Sequence, residues 1–205
     1  MPPTGFDKLA YIYDGLARLV YGKSIVNSQL PFLNDINPNA TVLILGGGTG
    51  WFLAQLLIMG PTCEIWYIES SIKMLEKSKA KSPHSPNVHF IHGTEQNIPH
   101  HQKFDVVITN FYFDLFSFQS LQAIIKGIQI SMKPDSIWLA TDFIHARSWW
   151  QSILSKVMYI FFRSVCNIEA KSLPDWHRCL TEARLIKRKS KLFYGGFIEA
   201  CVYQV

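Results

Sequence analysis

A glycine-rich segment around residue 48 is the part of the chain best suited to bind a small ligand. It follows an unbroken run of aliphatic and β-branched residues, Thr41–Leu45, which is typical of a buried parallel strand. Apolar positions recur at helical spacing from Phe52 to Leu57, so a helix is predicted directly after the turn. Glycine lets the backbone approach a ligand closely, and a helix N-terminus presents free N–H groups. The segment therefore predicts a nucleotide-sized site formed by Gly46, Gly47, Gly48 and Gly50.

The spacing of these glycines narrows the choice of ligand. The dinucleotide fingerprint G-x-G-x-x-G fails because Trp51 stands where the third glycine is needed, and the Gly-Lys-Ser/Thr of a phosphate-binding loop is absent. The remaining pattern, G-x-G-x-G after a hydrophobic strand, resembles motif I of the class I S-adenosylmethionine-dependent methyltransferases. An ordinary glycine-rich turn between a strand and a helix is the alternative.

An acidic residue, Glu69, follows the next predicted strand. It lies about 20 residues beyond the glycines, where a carboxylate can accept hydrogen bonds from two ribose hydroxyls. NAD-binding and S-adenosylmethionine-binding proteins share this feature, so it indicates ribose and no particular reaction. The alternative is that Glu69 and Ser70 stabilise the start of the following helix, because carboxylates favour that end of the helix dipole. We take both residues as candidates for cofactor binding.

The N-terminal segment carries a second part of the resemblance. Residues 10–14 fit the pattern A-x-x-Y-D, which resembles the N-terminal helix of methyltransferases of ubiquinone and menaquinone biosynthesis. The resemblance implies that Tyr13 closes over the cofactor. The alternative is a tyrosine that packs on its own helix face.

Two later segments extend the resemblance along the chain. Residues 93–99 resemble the G-D-A-x-x-L-P segment of the same methyltransferases, in which the acid contacts adenine. Thr94 stands in the place of that acid here. The resemblance therefore implies that Thr94, Glu95 or backbone groups contact adenine. Residues 104–110 resemble motif IV, the strand that borders the methyl group and the substrate, which makes Asn110 a candidate for cofactor binding.

The sequence departs from the family pattern at two places. Ile44 replaces the acid that usually helps to orient the motif I loop, which puts cofactor affinity in question. Residues 110–114 resemble only loosely the N-P-P-Y motif that methyltransferases use on planar amide or adenine nitrogens. The prolines of that motif are absent, which argues against a DNA adenine methylase.

Candidates for acid–base chemistry lie near the predicted ends of strands four and five. A base is needed only if the methyl acceptor must lose a proton, and Asp114, Asp142 and His145 are the residues that could accept it. His145 could equally be a surface or helix-capping histidine. His100 and His101 are adjacent in a loop with no cysteine or carboxylate cluster nearby, so no metal site is predicted.

The order of elements predicts the fold. Helices are expected over residues 7–21 and 24–33, then strands and helices alternate from Thr41, and the chain ends in two strands around Gly195 and Gly196. This order predicts one α/β domain over residues 1–205: a Rossmann-like, doubly wound, seven-stranded sheet, mostly parallel with an antiparallel last strand. Residues 1–40 would form a helical N-terminal cover over the core of residues 41–205.

Composition sets the broad class of protein. Hydrophobic residues make up 48% of the chain, which excludes a disordered protein. We expect no transmembrane segment and no signal peptide, and the four scattered cysteines, without a C-x-x-C pair, predict reduced thiols in a cytoplasmic protein. The formal net charge of +5 permits a nucleic-acid partner without requiring one. The oligomeric state stays open.

These patterns lead to three hypotheses for function. The first is a methyltransferase that uses S-adenosyl-L-methionine, yields S-adenosyl-L-homocysteine, and methylates a small apolar or aromatic molecule bound beside the aromatic segment 149–162; an ordinary buried helix is the alternative for that segment. The second is an RNA methyltransferase that uses the basic C-terminal strands. The third, suggested by Ile44, is a non-catalytic cofactor-binding or interaction protein. A dinucleotide oxidoreductase ranks below these because a second glycine-rich half is not visible.

Overall fold

A seven-stranded sheet forms the centre of the protein. The computed structural model describes residues 5–59, 62–82 and 85–205, with only the backbone of Tyr13 and Asp14. The strand order is β3-β2-β1-β4-β5-β7-β6. The strands are β1 (Thr41–Leu45), β2 (Glu64–Glu69), β3 (Val88–His92), β4 (Phe104–Asn110), β5 (Met132–Phe143), β6 (Ile186–Phe193) and β7 (Ile198–Gln204).

Strand direction determines where a ligand can bind. The pairs β1–β2, β2–β3, β1–β4 and β4–β5 are parallel, whereas β7 runs antiparallel to both β5 and β6. The chain order reverses between β1 and β4, and in open α/β sheets the crevice at such a reversal lies at the carboxyl ends of the strands. The predicted mostly parallel, seven-stranded, Rossmann-like sheet is confirmed.

Helices cover both faces of the sheet and its carboxyl edge. One core cluster packs α6 and α8 against the sheet, a second packs α4, and a third joins α2, α3 and α7 to the ends of β5 and β7. The helices are α1 (Gly5–Leu9), α2 (Tyr13–Tyr21), α3 (Ser24–Asn27), α4 (Trp51–Ile58), α5 (Ile72–Lys81), α6 (Phe118–Ile130), α7 (Trp149–Cys166) and α8 (Trp176–Glu182).

The N-terminal cover differs from the two helices expected over residues 7–21 and 24–33. The first is divided into α1 and α2, and at the division the Lys77 ammonium donates to the Ala10 carbonyl oxygen at 2.6 Å. Asp7, near the start of α1, is buried, which is unusual for an acidic residue. Its carboxylate accepts a hydrogen bond of 2.6 Å from the Ser71 hydroxyl. The second helix ends at Asn27.

The C-terminal third contains a helix that the sequence pattern did not predict. Asp175 caps α8 by accepting from the Arg178 N–H at 3.0 Å, and Trp176, Cys179 and Leu180 bury its inner face. As a result β6 does not begin until Ile186. Among the residues that the structure describes, no helix is both long and apolar enough to cross a bilayer.

Candidate functional site

The glycine turn between β1 and α4 is held from both sides at Gly48. The Gly48 N–H donates to the Glu69 Oε2 at 2.8 Å, and the Gly48 carbonyl oxygen accepts from the Tyr67 hydroxyl at 3.0 Å. Gly48 has φ of 64°, and a side chain built on it would meet no atom within 4 Å. The loop is therefore fixed in a conformation that favours glycine, with its open side toward the crevice.

Tyr67 lies beside Ile44, the residue that replaces the usual acid, and its hydroxyl reaches the glycine turn. The two residues are register partners on β2 and β1, and Tyr67 is fully buried. Its ring lies where a side chain on Gly47 would otherwise project, so the middle glycine of the run is required. No sequence pattern singles out Tyr67, because only the register of the two strands brings its hydroxyl to the loop.

Glu69 lies at the carboxyl end of β2 with a 5% exposed side chain. Its Oε1 accepts from the Ser71 N–H at 2.8 Å, while Oε2 holds Gly48. Burial raises the pKa of the Glu69 carboxyl, and the N–H groups of Ser71 and Gly48 oppose that shift by stabilising the carboxylate. The acid is thus rigidly aimed at the edge of the crevice beside the glycine turn.

Two cavities meet above the carboxyl edge of the sheet. The larger, about 350 Å³, is lined by the glycine turn, Glu69 and Asn110, and continues between the N-terminal helices and α7. The smaller, about 340 Å³, is lined by Gly93, Thr94 and Glu95. Both are bordered by Gly46, Ser70 and Tyr112, so together they form one elongated space.

Thr94 caps a short 3-10 helix, Glu95–Asn97, at the wall of the smaller cavity. The Thr94 hydroxyl accepts from the Gln96 N–H at 3.4 Å, and the Glu95 Oε2 accepts from the Tyr112 hydroxyl at 2.8 Å. Tyr112 packs its ring on Gly46, where it reaches from β4 across to the turn after β3. Tyr112 stands at the junction of the two cavities, and the only sequence signal for it was its place in the segment after Asn110.

Asp114 and Asp142 are both buried but have different surroundings. Asp142 Oδ2 accepts from the N–H groups of Tyr112 and Phe113 at 3.0 and 2.8 Å, and Oδ1 accepts from Phe143 at 2.7 Å. Asp114 lines the larger cavity, and its Oδ1 has no hydrogen-bond partner among the described residues. Both carboxyl oxygens of Asp142 therefore accept hydrogen bonds, whereas one oxygen of Asp114 accepts none from the described residues.

The charge of this pair follows from its hydrogen bonds. Burial raises the pKa of Asp114 well above its usual range, and the nearby Asp142 carboxylate raises it further. Burial also raises the pKa of Asp142, but the backbone N–H groups around it favour its charged form. Burial disfavours the charged form of both carboxyl groups, and the surrounding backbone N–H groups make Asp142 the member of the pair whose charged form is better stabilised.

The structure does not bring all the predicted residues together. His145 is exposed and does not border either cavity, and the side chain of Tyr13 lies outside the described residues, although its backbone lies in α2. His100 and His101 are exposed. Asp142 lies beneath the loop after β4 and not on the cavity surface, whereas Asp114 and Asn110 line the cavity.

Another group of potential metal ligands lies away from the cavities. Within the described ranges, His177, Glu199 and Cys201 hold ligand atoms within 4.8 Å of one another. The Lys187 ammonium already forms an ion pair with Glu199. In addition, His177 Nε2 lies 3.0 Å from Oε2 of Glu199. A resident lysine thus supplies the positive charge that a metal ion would bring.

The larger cavity becomes apolar away from the glycine turn. Its walls there come from α2, α3, α7 and the end of β5, and Arg18 is the cation among the described residues that line it. The apolar side chains are Leu16, Ala17, Val20, Ile25, Val26, Phe143, Leu154, Val157, Met158, Phe161 and Phe162.

Comparison with known sequences identifies the central part of the chain. A family described as a methyltransferase domain matches residues 42–135. Malonyl-[acyl-carrier protein] O-methyltransferase of Halalkalibacterium halodurans is 24% identical over 147 residues, which cover 67% of this chain and 53% of that protein. The chain therefore spans about half the length of this curated relative.

Comparison with solved structures gives the same fold. A complex of the Haloferax volcanii Trm112 methyltransferase activator with a methyltransferase contains a chain that matches with a TM-score of 0.73 at 12% identity, covering 100% of this chain and 99% of that one. The Burkholderia thailandensis 1,6-didemethyltoxoflavin-N1-methyltransferase, with S-adenosylhomocysteine bound, gives 0.70 at 11% identity, covering 98% and 86%. At these identities the likeness concerns the fold.

Proposed function

We propose that this chain, which belongs to the class I S-adenosylmethionine-dependent methyltransferases, transfers a methyl group to a small apolar or aromatic acceptor. The observation that carries the proposal is the larger cavity. It has the glycine turn, Glu69 and Asn110 at one end and apolar side chains of α2, α3 and α7 at the other. A polar cofactor and an apolar acceptor would meet there.

The residues of the crevice fit S-adenosylmethionine, the cofactor of this family. The elongated space formed by the two cavities suits a nucleoside with an amino-acid tail, and the open side of Gly48 leaves room for it. In this proposal the turn of residues 46–50 binds the amino-acid tail of the cofactor. Glu69 and Ser70 hydrogen-bond to the ribose hydroxyls, and Thr94 and Glu95 border the adenine. Asn110 borders the methyl group, and Tyr13 remains a prediction.

When bound, the cofactor supplies a methyl group on a positively charged sulfur, and the chain contributes position and a dry site. The apolar walls exclude water from the acceptor. In this proposal the carboxyl group of Asp114, which lines the cavity and whose pKa is raised by burial, hydrogen-bonds to a hydroxyl or carboxyl oxygen of the acceptor and orients it. Asp142 acts through the loop, since its carboxylate fixes the backbone of Tyr112 and Phe113.

A malonyl-type acceptor is a second candidate. The Halalkalibacterium relative is named for O-methylation of malonyl-[acyl-carrier protein], and Arg18 on the cavity wall could pair with an acidic group of such an acceptor. In that case Arg18→Ala would weaken acceptor binding strongly, whereas methylation of an uncharged acceptor would be unaffected.

The basic C-terminal strands give less support to an RNA acceptor. Lys187 is paired with Glu199, Lys189 with Asp35, and Arg188 donates to the Gln204 side chain at 2.9 Å. Much of the positive charge of β6 is therefore engaged within the chain and is less available to phosphates.

Calorimetric titration tests the proposal. S-adenosylmethionine and S-adenosylhomocysteine should bind the purified protein, and NAD should not. Glu69→Ala should weaken binding about 100-fold, because it removes a buried charged acceptor and the anchor of Gly48. Glu64→Ala, at the exposed start of the same strand, is the matched control and should bind normally. Folded protein that binds neither sulfur compound would favour the interaction-protein hypothesis.

A further inference from the structure

Helix α7 presents a continuous apolar face to solvent. Its inner side is buried through Gln151, Met158 and Tyr159, and the Gln151 amide donates to the Gly195 carbonyl oxygen at 3.0 Å. Its outer side leaves large apolar side chains exposed along about 16 Å of helix. They are Trp149 (76%), Trp150 (37%), Ile153 (53%), Val157 (58%) and Ile160 (68%). Monomeric soluble proteins rarely expose such a contiguous patch without using it.

The charges around this face have one sign. Lys156 and Arg163 are exposed on the same helix, and Arg147 precedes it. Residues 144–168 contain three lysine or arginine residues and no acid, within a chain whose formal net charge is +5. Long basic side chains can lie along apolar surface while keeping their charges at its edge. The face is therefore complementary to a surface that is apolar inside and anionic at its boundary.

We propose that this outer face of α7 is a membrane-docking surface that lies on an anionic lipid headgroup layer. Exposed tryptophans with flanking cations are the combination that places a helix in the plane of the membrane interface. A second copy of the chain fits less well, because a symmetric pairing of α7 faces would bring the lysine and arginine residues of both copies together without an acid to pair them.

The position of this face relative to the larger cavity agrees with docking on lipid. Val157 lines the cavity and is 58% exposed, and Arg18 and the 83% exposed Leu19 belong to α2, which lines the same cavity. The mouth of the cavity is thus bordered by the proposed surface. Resting on the proposed function, this placement would let an apolar acceptor pass from the lipid into the site.

Vesicle flotation of the full chain tests the surface. The protein should float with vesicles of equal phosphatidylcholine and phosphatidylglycerol, and less with phosphatidylcholine alone or at high salt. Ile160→Ser should weaken this binding several-fold, whereas Ile130→Ser, a 74% exposed isoleucine at the end of α6, should leave it unchanged. Lys156→Glu should weaken it about tenfold because each basic residue near an anionic surface contributes to attraction, and Lys126→Glu on α6 is its control.

Several results would overturn the inference. Wild-type protein that fails to float with the mixed vesicles would do so, as would an equal loss in the Ile130 variant. A dimer seen by sedimentation without lipid, and abolished by Trp149→Ser, would assign the face to a second copy. Because these variants lie outside the crevice, S-adenosylhomocysteine binding should be retained in all of them. The membrane result therefore stands or falls separately from the proposed function.

Discussion

Asp114 at the cavity wall and Glu199 on β7 are both buried acids, but their partners differ. Glu199 accepts from His177 at 3.0 Å, pairs with Lys187 and receives the Cys201 thiol at 3.3 Å. Burial would raise the pKa of Glu199, but hydrogen bonds from His177 and Lys187 outweigh it and hold the pKa at about 2. Asp114 has one oxygen without a partner among the described residues and a raised pKa.

This difference separates a cluster that stabilises the fold from one that is available to a ligand. Around Glu199 each charge already has its counterpart, so a metal or substrate would have to displace Lys187. At Asp114 the missing hydrogen bond costs stability in the folded chain, and an incompletely satisfied polar group beside a cavity is typical of a functional site. The two clusters therefore make opposite predictions when their acids are removed.

The largest expected effect is at the pair Asp114 and Asp142. Asp142→Asn removes the charge that holds three backbone N–H groups and should lower the free energy of unfolding by about 3 kcal/mol. Asp114→Asn should change it by less than about 1 kcal/mol, since no bond to its Oδ1 is lost. Urea unfolding measures both values.

The effect of Asp114→Asn should be small on stability but large on activity. Asp114→Asn should reduce kcat about 100-fold with an accepted substrate, because the group that orients the acceptor is changed, while S-adenosylhomocysteine binds as before. If Asp114→Asn instead unfolded as readily as Asp142→Asn, both acids would belong to the scaffold and the contrast with Glu199 would fail.

The second effect concerns the pH dependence of stability. Since the folded-state pKa of Glu199 is lowered to about 2, its ion pairs contribute fully above its unfolded pKa and are lost as the pH falls toward 2. Glu199→Gln should remove about 2 kcal/mol at neutral pH and flatten the acid limb of the stability profile. Thermal unfolding between neutral and acidic pH checks this.

Asp105→Asn gives the comparison for that experiment. The pKa of Asp105 is also lowered, by the Lys133 ammonium at 2.8 Å and the Thr41 N–H, which outweigh the opposing effect of burial, but the pair is partly exposed. Its contribution should be smaller because solvent screens it. An acid limb as steep in Glu199→Gln as in the wild type would show that the β7 cluster is not the source of acid sensitivity.

The sequence was sufficient for the parts of the site that are local in the chain. The strand, glycine turn and helix of residues 41–58 are consecutive, so periodicity and glycine spacing predict them, and Glu69 follows from the end of the next strand. The predicted fold is confirmed, and a family described as a methyltransferase domain matches residues 42–135, in agreement with the resemblance. The single-domain organisation and the cytoplasmic location stay predictions, as do the roles of the individual site residues.

The parts that sequence did not predict depend on contacts between distant segments. Tyr67 reaches the glycine turn only through its register with Ile44, and Tyr112 reaches Glu95 across two strands. Helices α1 and α2 are separate at the place where Lys77, far along the chain, donates to the Ala10 carbonyl oxygen. Helical spacing and motif matching describe neighbours in sequence, so none of these contacts could be derived from them.

The smallest expected effect compares two buried tyrosine hydroxyls on well-separated strands of the same sheet, β2 and β7. Tyr67→Phe removes the hydrogen bond to the Gly48 carbonyl and should weaken S-adenosylhomocysteine binding about tenfold, because the loop is less well ordered for its ligand. Tyr203→Phe removes the hydroxyl that lies 2.6 Å from His177 and should lower only the melting temperature. Calorimetry and thermal unfolding of both variants measure the contrast.

A rescue experiment decides whether Tyr67 replaces the usual motif I acid. Combining Tyr67→Phe with Ile44→Asp places at that strand position a carboxylate, which cannot donate to the Gly48 carbonyl as Tyr67 does but can accept from N–H groups of the glycine turn, and should restore part of the lost affinity for S-adenosylhomocysteine. Tyr203→Phe combined with Ile44→Asp should show only the cost of burying the new carboxylate. If Ile44→Asp lowers affinity equally in both backgrounds, a carboxylate at this strand position does not replace the support that the Tyr67 hydroxyl gives to the glycine turn.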